Sequence, residues 1–394
     1  MEVKQWVKIP DVLFFQEGPG VRNSQYTEEG IKLLNVANLV DGKIDLTTSN
    51  RYISESEAYG KYKHFLCDDG DFIVASSGIK VEYINKKMGF VTKSMLPLCM
   101  NTSTIRFKVL DKSRLNIKYF MYYLKSQNFK NQLYKYITGS AQLNFGPSHL
   151  KKIIFPLCDI GEQKIIVNNM DLITKIMDSY NEQLEKYDEL IKARFIEMFG
   201  DPENNPNGWM ESPLSEKLNV LGGFAFKSDK FSEISGIPIL RIGNINSGYF
   251  KPVNMVYWKE DENLDRYLIY PGDLVMSLTG TVGKDDYGNV CILGNDFEKY
   301  YLNQRNAKLE IQGGINKFYL SQLLKFKQVK KKLTGINRGV RQANISNKDI
   351  LNLVVPIPPI ELQQQFEDFV RQVDKSKYND MCRYVYKGLK QRCE

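Results

Sequence analysis

Histidine is the side chain best suited to moving protons near neutral pH, and this chain has two, His64 and His149. Neither recurs at a matching place in the second half, which argues against a histidine-based acid–base or metal site. Pro10-Asp11 with Asp41-Gly42-Lys43 formally matches a nuclease pattern. The aligned residues further on are Ser247-Gly248-Tyr249, without acid or lysine. There is no Gly-x-x-x-x-Gly-Lys-Ser/Thr loop for nucleotide phosphates, no Gly-rich strand–turn–helix for S-adenosylmethionine and no Asn-Pro-Pro-Tyr-type loop. The chain is therefore expected to hold no catalytic residues, no metal and no cofactor of its own. It does carry positive charge in clusters: Lys330-Lys331-Lys332 with Arg338 and Arg341, and a thinner set of Lys151-Lys152 with Lys130 and Lys135. Such clusters suit phosphate contact, or serve only as solvated helix faces. The overall balance, 54 Lys+Arg against 46 Asp+Glu for a net charge of +8, permits a polyanionic partner without demanding one.

The elements that must position these residues come in duplicate. Trp6 and Pro10 recur as Trp209 and Pro213. The run Gly30-Ile-Lys-Leu-Leu-Asn-Val-Ala-Asn38 recurs as Gly236-Ile-Pro-Ile-Leu-Arg-Ile-Gly-Asn244, and Gly70-Asp71 as Gly272-Asp273. Gly139, Gln142, Asn144, Pro156, Ile160 and Gln163 recur in order as Gly339, Gln342, Asn344, Pro356, Ile360 and Gln363. A repeat this long means two copies of one structural unit in the 394-residue chain. The six cysteines do not follow the repeat and form no Cys-x-x-Cys pair, so reduced thiols in a cytoplasmic protein are expected. No signal-peptide core or run of membrane-span length is present.

Each copy holds two kinds of sequence. Residues 1–155 and 201–357 read as mixed α/β globular domains. Their short β-branched and aromatic runs, such as Phe72-Ile-Val-Ala and Leu274-Val-Met-Ser, lie between Gly, Asn and Asp. A helical stretch falls late in each copy, at Ile117–Tyr136 and Ile315–Leu333. Residues 156–200 and 358–394 read as long helices. Asp159 with Glu162 suggests a capped start for the first. Its apolar residues Ile166, Met170, Ile173, Met177, Tyr180, Leu184, Tyr187 and Ile191 alternate steps of four and three, the seam of a coiled coil. At about 1.5 Å per residue the stretch from Ile166 to Phe199 is roughly 50 Å long. The second seam, Phe366, Val370, Val373 and Met381, is weaker and is broken by Lys377 and Gly388. The expected fold is α+β: two similar domains separated by two long antiparallel helices, with an internal pseudo-two-fold. The alternative is that each helix packs only on its own domain.

This ordered set closely resembles the specificity subunit of type I restriction-modification enzymes. The resemblance is carried by the duplicated helix starts Ile160-Gly-Glu-Gln163 and Ile360-Glu-Leu-Gln363, and by the strand Gly272-Asp-Leu-Val-Met-Ser-Leu-Thr-Gly280. Leu302-Asn-Gln-Arg-Asn-Ala-Lys-Leu309 and the helix exit Phe195-x-x-Met-Phe-Gly-Asp-Pro202 belong to the same pattern. The resemblance covers essentially the whole chain. It implies a non-catalytic subunit whose globular units are target recognition domains, each reading half of a bipartite, asymmetric site in double-stranded DNA. It also implies that the helices act as spacers that dock two methyltransferase subunits, with restriction (translocase-nuclease) subunits joining through them. S-adenosylmethionine, ATP and magnesium are then expected in those partners.

Residues that differ between the copies are the better candidates for reading bases. Lys80 and Tyr83 follow the first Gly-Asp strand; Thr281 and Lys284 follow the second. Gln304 and Arg305 face Thr102 and Ser103 in the alignment. Arginine suits guanine, and glutamine or asparagine suits adenine. Each of these is equally compatible with an ordinary surface loop. Gln142/Gln342 and Asn144/Asn344, identical in both copies, are expected to satisfy local backbone groups.

Overall fold

The computed structural model describes residues 5–136, 143–282, 284–335 and 342–390, with the side chains of 79, 143, 144, 342 and 378–390 outside that set. Gln142, Arg338 and Arg341 therefore lie outside the described residues, as do the side chains of Asn144, Gln342 and Met381. The chain divides into two compact units, Met1–Met177 and Asp178–Glu394. The division falls inside the first long helix rather than at its ends, because each half of that helix packs into a different unit.

Both units have the same strand plan. In the first, an antiparallel sheet runs in the order Leu13–Glu17, Thr104–Val109, Phe72–Ala75, Met88–Phe90. In the second the order is Leu218–Gly222, Asn306–Ile311, Leu274–Ser277, Val290–Ile292. The strands Phe72–Ala75 and Leu274–Ser277 are buried at every residue, which explains their unbroken apolar runs: both faces of the sheet are covered. A second, smaller sheet holds a parallel pair in each unit, Leu98–Met100 on Ile31–Leu34 and Tyr300–Leu302 on Ile237–Leu240. Each unit is closed by an antiparallel pair of distant segments, Gln5–Lys8 with Ile154–Leu157 and Glu211–Pro213 with Val354–Pro356.

The late helical stretches are each two helices, not one: Ile117–Leu124 with Gln127–Tyr136, and Lys317–Lys325 with Lys327–Thr334. In the second unit the break is Phe326, whose extended backbone (φ −65°, ψ 130°) takes its ring to within 5.0 Å of Phe195 in the core. In the first it falls at Ser126, whose hydroxyl caps the next helix by accepting the Phe129 amide at 3.2 Å.

The first long helix is Ile160–Phe199. Asp159 caps it by accepting the Glu162 amide at 3.0 Å, and Gly200, at φ +79°, ends it. In the first unit its buried row is Gln163 and Val167, followed by Asp171, whose carboxylate takes Lys118 and Tyr122. Over these first turns the covered row is offset from the seam expected from the sequence, whereas from Ile173 to Ile191 the expected positions other than Met177 are the more covered ones. Met170 and Met177 stand exposed at 37% and 59%, while Ile166, Ile173, Tyr180 and Leu184 are half-buried. Gln163 sets the phase, as its hydrogen bonds below show.

In the second unit the two long helices pair antiparallel. Phe195 and Phe199 meet Phe366, Arg194 lies over the Phe369 ring, and Asp188 pairs with Lys377 at 2.9 Å. Ile191, Phe366, Val370 and Val373 are buried in this core, with Tyr187 packed against it. Lys377 is thus an interhelical ion-pair partner rather than a defect, and the helix Ile360–Lys390 continues through it and through Gly388.

Candidate nucleic-acid interface

Residues identical in the two copies build a frame of hydrogen bonds. Gln163 and Gln363 are fully buried. Gln163 Oε1 accepts the Asn116 amide at 2.8 Å and its Nε2 donates to the Cys158 carbonyl at 2.8 Å. Gln363 does the same with Asn316 at 2.7 Å and Pro358 at 2.7 Å. One glutamine therefore ties the start of each long helix to the capping residue of its domain's helical pair, and leaves no buried amide group of that join unmatched.

Asn38 and Asn244 are a second such pair. Each accepts the amide three residues back at 3.0 Å, from Asn35 or Arg241, and donates across the following loop, to Asp45 O or Lys251 O at 3.0 Å. Gly30 and Gly236, at φ +124° and +120°, approach the Ile53 and Trp258 carbonyls so closely that a Cβ would lie 2.3 Å away. Asp71 and Asp273 each accept an amide three residues back at 2.8 Å and pair with a cation on the neighbouring strand, Lys108 at 3.3 Å and Lys308 at 3.2 Å. The Gly-Asp motif is thus a turn and an ion pair.

On this frame the second unit carries a cleft of about 890 Å³. One wall is Arg241 to Asn246, a second is Thr279, Gly280, Thr281 and Asp286, and the third is Asn303, Gln304 and Arg305. Three residues singled out in the sequence, Thr281, Gln304 and Arg305, are therefore brought together. Asp286 fixes Thr281, taking its amide at 2.8 Å and its hydroxyl at 2.9 Å. Burial raises the Asp286 pKa, but the hydrogen bonds from Thr281 outweigh it and hold the carboxyl below its ordinary value. Gly280 is required, since a Cβ would lie 2.3 Å from Asp286 Oδ1 and 2.8 Å from Tyr287. Gln304 and Arg305 are exposed, and their side chains hold no bond among the described residues. Lys284 is exposed nearby in sequence but does not line the cleft.

Arg241 is a lining residue that its sequence context did not single out. It stands where the first copy has Asn35, and this change of an amide for a guanidinium, among smaller differences in the run, was the available signal. Its guanidinium is bonded to the Asn254 carbonyl, and its Nε is buried without a partner among the described residues. Asn246, Asn254 and Asp286 also line the cleft and were not singled out.

The same positions in the first unit are self-satisfied. Ser77 Oγ donates to Ser103 Oγ at 2.5 Å, and Asn101 donates to Asn35 Oδ1 at 2.7 Å. The candidates Lys80 and Tyr83 lie elsewhere, both exposed, where the 3₁₀ segment Val81–Lys86 begins. Between them Glu82 bonds to the Tyr134 hydroxyl. That bond first and one from its own backbone amide next, with burial opposing and Lys80 and Lys130 supporting, hold its carboxyl below the ordinary value.

The basic cluster of the second unit divides. Lys331 and Lys332 are exposed, but Lys330 is 7% exposed and turned inward, its ammonium donating to Asn289 Oδ1 at 2.7 Å. It is not available to a phosphate, because its helix face turns toward the loop that carries Asp285, Gly288 and Asn289. Lys151 and Lys152 are exposed, with Lys152 over the Tyr136 ring. Of the residues in the formal nuclease pattern, Asp11 accepts the Lys8 amide and Asp41 sits in a turn opposite Lys86. Asn344 is exposed, and the backbone of Gln342–Asn344 pairs with Thr279–Thr281. Among the described residues no group of His, Cys, Asp and Glu is placed to hold a metal, and no helix is long and apolar enough to cross a membrane.

The model of the type I restriction modification DNA specificity domain matches residues 8–186 and again 206–379. The chain is similar to the specificity subunit of type I restriction enzyme MjaVIII of Methanocaldococcus jannaschii, 24% identical over 336 residues, 79% of this chain and 74% of that one. It is similar to the EcoKI specificity subunit of Escherichia coli K12, 23% identical over 278 residues, 65% of this chain and 58% of that one. In fold it is similar to the S subunit of a type I restriction-modification system from M. genitalium. The TM-score is 0.50 at 17% identity, covering 97% of this chain and 92% of that one. With the domain matched once in each half and over most of its length, the chain belongs to the type I restriction modification DNA specificity family.

Proposed function

We propose that each unit reads one half of a bipartite, asymmetric target in double-stranded DNA, and that the long helices fix the spacing between halves and dock two methyltransferase subunits. The chain is the specificity subunit of a type I restriction-modification system and is itself non-catalytic. Chemistry then belongs to partners: methyltransferase subunits using S-adenosylmethionine, and restriction subunits using ATP and magnesium. The protein works in the cytoplasm, beside the DNA it reads.

The observation that carries this reading is one frame with two sets of side chains. Ser103 O and Arg305 O accept equivalent amides, Ser76 and Leu278, each at 2.8 Å, yet one position presents a bound hydroxyl and the other a guanidinium without a bond among the described residues. Two heads built alike and furnished differently should read different sequences. Arg305, Gln304 and Thr281 in the second unit would contact base edges, and Lys331, Lys332, Lys151 and Lys152 phosphates. Lys80 and Tyr83 would serve the first unit. The test is to replace residues 1–155 with those of a relative and sequence the methylated genome of a host carrying the complete system. One half of the methylated motif should change; a change in both halves, or no split motif at all, would overturn the reading.

A further inference from the structure

We propose that Lys330 is a positioning residue for DNA reading, holding the walls of the second unit's cleft in place from behind. The inference rests on the cleft being a base-reading surface. From the helix Lys327–Thr334, the Lys330 ammonium donates to Asn289 at 2.7 Å and pairs with Asp285 at 2.5 Å. Asn289 in turn donates to the Asn246 carbonyl at 2.9 Å. Asn246, with its amide turned so that the nitrogen faces acceptors, reaches Ile242 O at 3.1 Å and Asp286 O at 3.2 Å. Asp286 grips Thr281. One buried cation is therefore linked, bond by bond, to both the Arg241–Asn246 wall and the Thr281 wall.

Stability alone does not call for a lysine here. Asp285 is 82% exposed, so the ion pair itself adds little to folding. Burying the ammonium costs desolvation that an apolar side chain of the same volume would not. What the lysine supplies is a directed bond to Asn289. The backbone is also drawn close at this point. Tyr287 donates to Thr334 O at 2.7 Å, and Gly288, at φ +68°, leaves a Cβ only 3.1 Å from Thr334. The internal repeat offers a parallel. Lys130, the counterpart of Lys330, donates to Glu82 O at 3.4 Å, inside the segment carrying Tyr83. The same helix position thus braces a candidate contact segment in each unit, through different partners.

The test uses the chain assembled with its methyltransferase subunits, and duplexes with single-base changes in either half of the target. Lys330→Met should lower discrimination about tenfold in the half read by the second unit and leave discrimination in the other half as in the wild type. Lys330→Arg should restore part of the loss, which a general loss of stability would not allow. Asn289→Ala breaks the same link without removing the buried cation and should reproduce the effect, even if Lys330→Met fails to assemble. Arg305→Ala separates the two claims. If it alone loses discrimination while the Lys330 and Asn289 variants keep it, positioning is overturned and the cleft reading stands. If Arg305→Ala also changes nothing, both fall. Equal losses in both halves would overturn positioning as well.

Discussion

In the first unit Ser77 and Ser103 satisfy one another, as do Asn35 and Asn101. In the second unit the same positions hold Thr279, Arg305, Arg241 and Asn303, and both arginines line an open cleft, Arg241 bonded to the Asn254 carbonyl and Arg305 without a side-chain bond among the described residues. The backbone beneath is unchanged: Gly18 and Gly223 both approach the carbonyl of the asparagine turn, where a Cβ would lie 2.1 Å and 2.2 Å away. The frame therefore does not dictate which positions offer donors to a ligand. The first unit offers exposed groups on the Val81–Lys86 segment, the second on the turn at Gln304 and Arg305. Equivalent heads need not read with equivalent residues.

The largest way to disturb this equivalence is through the cores. Phe195 is fully buried among the rings of Phe199, Tyr319, Phe326 and Phe366. Phe195→Ala should cost the second unit about 3–5 kcal/mol. Urea unfolding followed separately in each unit should show the first unit unmoved; an equal loss in both would end their treatment as separate compact bodies. Gln163→Ala and Gln363→Ala each strand a buried amide and carbonyl and should each cost about 1–3 kcal/mol. Similar losses in thermal melts sharpen the equivalence of the two helix starts, whereas a large loss at one site alone would break it.

Smaller effects concern recognition. Arg305→Ala should cost about 1–3 kcal/mol of discrimination in one half-site, measured by methylation of altered duplexes, while Ser103→Ala should cost nothing in either. A loss with Ser103→Ala would mean that the two turns contact DNA alike after all. Last, Lys331→Ala with Lys332→Ala should weaken binding of every sequence by a similar factor. The slope of log affinity against log salt should fall by about 0.9 for each phosphate no longer neutralised. An unchanged slope would assign both lysines to a solvated face.

The repeat made much of this legible. Three of the residues identical in both copies form the frame, because a main-chain turn or a buried amide join admits few solutions: Gln163, Asn38 and Gly30 each do one local job, twice. The coiled-coil phase was less legible. Steps of four and three pick out Ile166, Met170 and Ile173, but in the first turns the covered row is Gln163 and Val167, because the polar Gln163, with its fixed partners, turns that face inward. The helix breaks at Ser126 and Phe326 were hidden because neither residue is a helix breaker in itself; capping and core packing decide them. Lys330 looked like its neighbours Lys331 and Lys332, since charge density in sequence does not say which lysine of a turn faces inward.

The strands beneath the cleft are joined through main-chain atoms: Leu278 N to Arg305 O, Ser277 N to Asn289 O, Gly223 N to Asn306 O. Such bonds are indifferent to the side chains they carry. Drift at the tip positions can therefore proceed without eroding the scaffold, and a lineage can acquire a new address by a few exchanges there while its foldability stays intact.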